Sequence, residues 1–329
     1  MRFSKNTTSQ AGWKDFKTRK MKNNYVYSIT ITHYNNPELL SRMLRSIPER
    51  DDIQVIVVDD ASSDDNKKKL AALQHRNLEI IYTPENHGAG YERNVGLDHA
   101  QGKWLIACDC DDCFADGAFE VLDKYKDTEY DFIQYLVSPT SESLIKASAL
   151  HSDVSVRKYI QKQSKKNIRL LKFYNNDCWN KMVSMKFMKE HSIRWEECRI
   201  NVDVMYALQL NVYARSILIV PKVLYLYIGA TDGITRKKRS IEREFGFYLA
   251  AQKRNGFFKK LGWGYPYYRH DILYLPFIIR KRGFVDAVKF FKYFFNHKEE
   301  IVQARKTYLR FYKELDKSNI YKGVSLINE

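Results

Sequence analysis

Between residues 25 and 137, short apolar runs alternate with segments whose apolar residues recur at helical spacing. Runs rich in β-branched and aromatic residues predict strands at 25–32, 53–58, 78–82, 104–107 and 130–137. Apolar residues at helical spacing, with their flanking cap residues, predict helices at 37–47, at 65–74, after residue 90 and at 116–126. Because strand and helix alternate throughout, the pattern predicts an α/β domain with a mostly parallel sheet and helices on both faces.

The pattern is less regular further along the chain. Residues 138–176 are polar and show no clear period, whereas 177–191 are predicted to be helical. Another apolar-periodic helix begins at Asp203, and two short strands are predicted at 217–220 and 223–228.

From Lys237 onward the chain becomes aromatic and basic, with 21 of its 46 Phe, Trp and Tyr residues in the last 93 positions. An apolar stripe at helical spacing comprises Phe284, Val288, Phe291 and Phe295, with Asp286, Lys289, Lys292 and Asn296 opposite. Such a helix is typical of attachment to an anionic membrane surface. It is equally typical of packing on the rest of the protein or on another subunit, so oligomerisation is also an expectation.

The net charge of +16 is concentrated at the two ends of the chain. Residues 1–24 carry seven Lys and Arg against one acidic residue, and 237–329 carry 21 against nine, while the middle is nearly neutral. Basic ends of this kind indicate an anionic partner, such as a membrane surface, a nucleic acid or a polyanionic substrate. Little apolar periodicity in 1–24 predicts a flexible basic arm.

The chain contains no apolar run of the roughly 18 to 20 residues that a membrane span needs, and its first residues lack the apolar core of a signal peptide. Five cysteines, an odd number, favour a reducing cytosol over a disulfide framework. Cys108, Cys110 and Cys113 stand close together, but no second Cys or His cluster completes the ligand set that structural zinc needs. We interpret Cys110 and Cys113 as small buried residues.

Polar side chains follow three of the predicted strands, where parallel sheets place their ligands. These residues are Thr32, Tyr34, Asn35, Asp59, Asp60, Asp109, Asp111 and Asp112. Three carboxylates within four positions repel one another, and a hard divalent cation such as Mg²⁺ or Mn²⁺ relieves that repulsion. The alternative is an acidic turn on a solvated surface.

Three ordered motifs, SITITHYNN, VIVVDDASSDD and GAGYERNVG…IACDCDD, resemble the opening of a family 2 glycosyltransferase. The resemblance implies the GT-A fold, a Rossmann-like α/β fold, over a catalytic domain at 25–236. Its nucleotide-sugar-binding half is 25–137 and its acceptor half 138–236, and a helical C-terminal region at 237–329 has no counterpart. The implied activity is inverting transfer of a hexose or N-acetylhexosamine from a UDP-sugar, with a divalent metal.

The resemblance also assigns roles to residues on the nucleotide side. Thr32, Tyr34 and Asn35 match the loop that meets the nucleotide, and Asp60 matches the aspartate that binds uracil. Arg93 matches a basic residue near the nucleotide, with a salt bridge on a helix surface as its alternative. The remaining implied contacts are Asp109 to the ribose, Asp111 and Asp109 to the metal, Asp112 as a third acid, and Arg236 to the diphosphate.

On the acceptor side the match is looser. Family members carry a Glu-Asp pair whose aspartate is the catalytic base, and Asp203 matches that aspartate although Val202 stands at the Glu position. The alternative for Asp203 is a helix N-cap. Trp179 resembles an aromatic residue beside the acceptor, or else a core tryptophan. Asp232 matches a second metal ligand or a diphosphate contact, or else it is a turn aspartate before Gly233.

The resemblance implies a surface glycan or a lipid-linked oligosaccharide as acceptor, and an enzyme in the cytoplasm held peripherally on the membrane. Two other classes remain open. One is a metal-dependent nucleotidyltransferase, although no G-x-x-x-x-G-K-[ST] loop is present. The other is a non-enzymatic basic protein that stacks nucleic-acid bases on its aromatic tail. Since strand-end carboxylates would repel phosphates, we expect no nucleic-acid partner.

Overall fold

A computed structural model describes residues 25–140, 151–198, 200–229, 240–262, 278–280 and 282–327. Its strands are β1 (Tyr27–His33), β2 (Ile53–Asp59), β3 (Leu78–Tyr82), β4 (Trp104–Asp109), β5 (Cys113–Phe114), β6 (Phe132–Pro139), β7 (Lys181–Ser184), β8 (Ile217–Tyr227) and β9 (Val324–Leu326). Its helices are α1 (Pro37–Arg45), α2 (Asp64–Ala71), α3 (Ala89–His99), α4 (Ala118–Asp123), α5 (His151–Gln161), α6 (Lys165–Tyr174), α7 (Met185–Glu190), α8 (Val202–Tyr213), α9 (Ile241–Lys260), α10 (Phe284–Asn296) and α11 (Lys298–Glu314).

The described strands form one mixed sheet in the order β3-β2-β1-β4-β7-β6-β8-β5, with β9 on β8. Strands β1 to β4 are parallel to one another, and β6, β8 and β9 are parallel, whereas β7 and β5 run antiparallel to their neighbours. Each residue of β2 is buried, as its nearly continuous apolar run predicted for a strand covered on both faces.

The carboxyl ends of β1 and β4 form the switch point of the sheet. The chain leaves β1 toward β2 on one side and later returns to β4 on the other side. Such a divergence opens a crevice at the carboxyl ends of the strands. The register sets Thr32 beside Asp109 and His33 beside Asp59, so the polar residues of the first, second and fourth strands meet there.

Two glycines let helix α3 approach its neighbours closely. A Cβ on Gly96 would lie 3.0 Å from Cβ of Thr30 on β1. A Cβ on Gly90 would lie 2.0 Å from the carbonyl oxygen of Glu196 in the loop before α8. The part of α3 from Gly90 to Gly96 therefore lies between β1 and α8.

The expectation of a helix at 177–191 was wrong in its first part. Lys181–Ser184 form β7, which pairs antiparallel with both β4 and β6, and only Met185–Glu190 are helical. The two strands predicted at 217–220 and 223–228 are one strand, β8, whose pairing with β6 shifts register between Val220 and Val223. Pro221 lies in that irregularity, which is where a sheet accommodates a residue without an N–H.

The C-terminal region packs against the α/β domain. Phe257 and Phe258 of α9 are fully buried beside Met205 and Leu208 of α8, and Phe311 of α11 joins the same cluster. Strand β9 extends the sheet. None of the helices in the described ranges is long and apolar enough to cross a bilayer. The predicted arm 1–24, together with Asp232 and Arg236, lies outside the described residues.

Candidate active site

Three carboxylates cluster where β4 ends. One oxygen each of Asp109, Asp111 and Asp112 lies within 4.8 Å of the other two. Asp109 and Asp111 are partly exposed, whereas Asp112 is fully buried. Like charges this close disfavour one another's ionisation, so a bound proton or cation would stabilise the cluster.

Asp112 holds the end of β8. Its Oδ1 accepts the backbone N–H of Ile228 at 2.8 Å and of Gly229 at 3.1 Å. Its Oδ2 is buried without a hydrogen-bond partner among the described residues. Burial, followed by the charges of Asp111 and Asp109, raises the pKa of Asp112 well above that of an ordinary aspartate. A buried carboxylate oxygen without a partner is costly, and a proton or a metal ion would satisfy it.

Arg93 connects this cluster to a carboxylate on another element. Its Nη2 lies 2.6 Å from Oδ1 of Asp109, and its Nη1 lies 3.1 Å from Oδ1 of Asp203. Thr32 Oγ1 donates to the same Asp109 oxygen at 3.4 Å. Burial opposes the charge of Arg93, but Asp203 and Asp109 outweigh it and raise the pKa, so the guanidinium stays protonated. Since Arg93 is only 4% exposed, it is no surface salt bridge.

Asp203 stands in the first turn of α8, where a helix favours negative charge. Trp195 Nε1 donates to its Oδ1 at 3.1 Å, and the Trp195 ring stacks on Tyr206 with ring centroids 3.9 Å apart. The N-cap is Asn201, so Asp203 does not cap the helix. Burial raises the pKa of Asp203, and Arg93 opposes that shift. A carboxylate whose pKa is raised takes a proton more readily.

Helix α3 clamps the loop that carries Trp195. Asn94 Nδ2 donates to the Trp195 carbonyl at 3.0 Å, and Asn94 Oδ1 accepts the Trp195 N–H at 3.0 Å. One turn later, Asp98 forms two bonds to Arg194, at 2.5 and 2.8 Å. The loop and Arg93 are therefore held by one helix, which fixes Asp203 relative to Asp109.

Asp60 organises the loop that leads into α3. It is almost fully buried, and its two carboxylate oxygens accept the backbone N–H groups of His87 and Gly88, both at 2.7 Å.

Asp59, beside Asp60, lies 2.8 Å from His33 Nδ1 and accepts a 3.1 Å hydrogen bond from Ser62 N. Although burial opposes it, the bonds from His33 and Ser62 lower the pKa of Asp59. Both aspartates thus shape the loops around the crevice.

The loop after β1 turns at Asn35, whose φ of +54° lies in the left-handed region. Asn35 N donates to Ser62 Oγ at 2.8 Å, and Asn35 Oδ1 accepts from Ser63 N at 2.9 Å. Tyr34 before it is 49% exposed. The loop is therefore braced by Asn35, and it leaves Tyr34 at the surface.

Trp179 lies one ring away from the acidic cluster. It is 5% exposed and stacks on Tyr225, with ring centroids 5.4 Å apart and planes inclined by 8°. Tyr225 OH in turn accepts the backbone N–H of Asp109 at 3.2 Å. The aromatic pair forms a wall beside the end of β4.

A buried lysine holds the loop that presents Trp179. Lys181 Nζ donates to Oδ1 of Asn180 at 2.8 Å and of Asn175 at 3.1 Å, and also to the Asp177 carbonyl. Burial lowers the pKa of Lys181 to about 8. Cys178 in the same loop hydrogen-bonds to Asp203. Lys181 therefore fixes the side of the crevice that faces Asp203.

Comparison with known proteins identifies the family. The sequence model of Glycosyl transferase family 2 matches residues 28–191, which include the acidic cluster and Arg93. The chain belongs to glycosyl transferase family 2.

One curated relative of this glycosyl transferase is the succinoglycan biosynthesis protein ExoO of Rhizobium meliloti, 30% identical over 87 residues. The match covers 26% of this chain and 25% of the relative. Among solved structures, S. aureus TarS 1-349 in complex with UDP-GlcNAc superposes with a TM-score of 0.54 at 19% identity, over 70% of this chain and 65% of TarS. A second crystal structure of S. aureus TarS 1-349 superposes with a TM-score of 0.51 at 18% identity, over 70% of this chain and 64% of TarS 1-349. The likeness shows the GT-A-like fold, as the sequence predicted.

In this family 2 chain, the structure brings together six residues that the sequence singled out: Thr32, Arg93, Asp109, Asp111, Asp112 and Asp203. Asn35 and Asp60 lie in the loops that border them. Trp195, Tyr225 and Lys181 were not predicted from the sequence. No motif marks these three, because each acts through a contact with a residue distant in sequence or through burial.

Proposed function

We propose that this protein is an inverting, metal-dependent glycosyltransferase. It moves a hexose or N-acetylhexosamine from a UDP-sugar to a hydroxyl of a surface glycan or lipid-linked oligosaccharide. The observation that carries the proposal is the buried Arg93, which bridges Asp109 of the acidic cluster to Asp203 on α8. One crevice thus contains carboxylates that can hold the cation of a diphosphate, together with Arg93. It also contains a separate carboxylate, Asp203, that can accept a proton.

A divalent ion fits the acidic cluster, because three carboxylates crowd together and Asp112 Oδ2 is buried without a partner in the described part of the chain. Asp111 and Asp109 are the proposed ligands, and Asp232, outside the described residues, is a further candidate. Mn²⁺ or Mg²⁺ bound there would act as a Lewis acid on the departing diphosphate. Arg93 would add a fixed positive charge to the same region.

Asp203 is the proposed general base. It would take the proton from the acceptor hydroxyl as that oxygen bonds to the anomeric carbon and the bond from that carbon to the diphosphate breaks, releasing UDP. A single displacement of this kind inverts the configuration. Trp195 and Arg93 fix one oxygen of Asp203, and burial raises the pKa of Asp203 toward the range of a working base.

The remaining residues are assigned to the donor and the acceptor. Thr32, Tyr34, Asn35 and Asp60 would border the nucleotide, Arg236 the diphosphate, and Trp179 the acceptor sugar. The UDP-GlcNAc in TarS supports a UDP-sugar donor, and the role of ExoO in succinoglycan biosynthesis supports a polysaccharide acceptor. We place the enzyme in the cytoplasm, peripherally on the membrane.

The test is UDP release from a panel of UDP-sugars in manganese, beside a salt-dependent oligonucleotide gel shift. We expect one donor to give metal-dependent UDP release and no oligonucleotide to bind tightly at physiological salt. Release of pyrophosphate from a nucleoside triphosphate, without UDP release, would indicate a nucleotidyltransferase instead. A tight, salt-sensitive gel shift with no turnover would indicate a nucleic-acid-binding protein.

A further inference from the structure

Helix α10 is apolar on two faces, and one of them is packed. Ala287 and Phe290 are buried, and the Phe290 ring lies 6.1 Å from that of Phe245 and 6.0 Å from that of Tyr248, both on α9. This contact fixes the orientation of α10. The packed face is not the stripe that the sequence pattern singled out.

Three residues of that stripe form the outward face of α10, and the fourth, Phe291, is partly buried. Phe284 is 72% exposed, Phe295 56% and Val288 52%, and Val285 at the edge of the stripe is 67% exposed. At 100° per residue, Phe284, Val288 and Phe295 lie within about 40° of one another, so they form one continuous strip. A helix that is apolar on both faces normally has both covered, and exposed apolar strips mark interaction sites.

The charged residues around this strip indicate which kind of surface it binds. At 100° per residue, Lys292 lies about 40° from Val288, beside the strip rather than opposite it, and Lys289 lies about 60° further round the helix. Both are exposed, and Lys298 Nζ lies 5.2 Å from the centre of the Phe295 ring. The acidic residue of the helix, Asp286, is already paired with Arg282 at 2.9 Å. A second copy of this chain packed antiparallel on this strip would bring the same lysines against each other, whereas anionic lipid headgroups complement them.

We propose that the outward face of α10 docks onto an anionic bilayer, with Phe284, Val288 and Phe295 inserted among the lipids and Lys289 and Lys292 against the headgroups. This deepens the proposed function, since it would hold the enzyme where a lipid-linked acceptor lies. Vesicle binding is measured without donor or acceptor, so the surface and the transfer reaction succeed or fail separately.

The experiment sediments the full chain with phosphatidylcholine vesicles that contain or lack phosphatidylglycerol. We expect Phe284→Ser/Val288→Ser to weaken binding to the anionic vesicles by roughly tenfold or more, because two apolar side chains would no longer be transferred from water into the bilayer on binding. Lys289→Gln/Lys292→Gln should weaken that binding by on the order of tenfold and have no effect without phosphatidylglycerol.

The matched control is Lys68→Gln/Lys162→Gln, which removes two exposed lysines, one from α2 and one directly after α5. It should bind like wild type. Because every substituted side chain is exposed, thermal unfolding of each variant should match wild type. Equal sedimentation of the Phe284/Val288 variant and wild type would overturn the proposal. It would also be overturned if wild type ignored the vesicles and light scattering showed a dimer that this variant dissociates.

Discussion

Asp203→Asn is expected to leave UDP binding unchanged and to slow sugar transfer by roughly 10²- to 10⁴-fold. The amide preserves the shape of the side chain and its acceptor oxygen for Trp195 and Arg93, but it cannot take the proton of the acceptor. Calorimetry with UDP and single-turnover transfer measure the two properties separately. Near-normal transfer would remove Asp203 from the chemistry.

Trp195→Phe is the matched control, because it keeps an aromatic ring beside Tyr206 but loses the Nε1–H bond to Asp203 and part of the buried indole. The transfer rate of this variant should fall much less than that of Asp203→Asn.

The pH dependence of transfer is a second measurement of the role of Asp203. Burial raises the pKa of Asp203, so kcat in the wild type should fall as pH decreases through a value above that of an ordinary aspartate. This acidic limb should be absent from the residual activity of Asp203→Asn.

Asp111→Asn is expected to abolish the manganese-dependent part of UDP binding, with affinity on the order of 100-fold weaker or worse. Asp111 is a partly exposed member of the acidic cluster, and it is placed to reach a cation from the open side. Calorimetric titration of UDP with and without manganese measures the effect.

Asp116→Asn controls for the loss of one negative charge near the cluster, because Asp116 is exposed and lies five residues further along the chain. It should bind UDP as wild type does. Equal affinity of wild type and Asp111→Asn in manganese would remove the proposed ligand role of Asp111.

The sequence predicted the first half of the fold well, because there the signals are local. β3 was predicted with its observed ends, and β2 to within one residue, since each is mostly apolar and is flanked by polar residues. β7 was missed because its strand conformation comes from pairing with β4 and β6, which are more than 40 residues away in sequence. Pairing across a sheet overrides local preference.

The site shows the same division. Carboxylates that follow strands are visible in the sequence, and parallel pairing brings them to one edge of the sheet, as for Thr32 and Asp109. The bond between Arg93 and Asp203 joins residues 110 positions apart, and it depends on how α3 and α8 pack. Trp195 and Lys181 act through such packing as well, so no periodicity or spacing reveals them.

The proposed metal and nucleotide site can be observed in crystals soaked with UDP and manganese and measured at the manganese absorption edge. We expect an anomalous peak within ligand distance of Asp111 and of the diphosphate of UDP, with the diphosphate in the crevice at the carboxyl ends of β1 and β4. A crevice that holds neither nucleotide nor manganese at saturating concentrations of both would contradict this expectation.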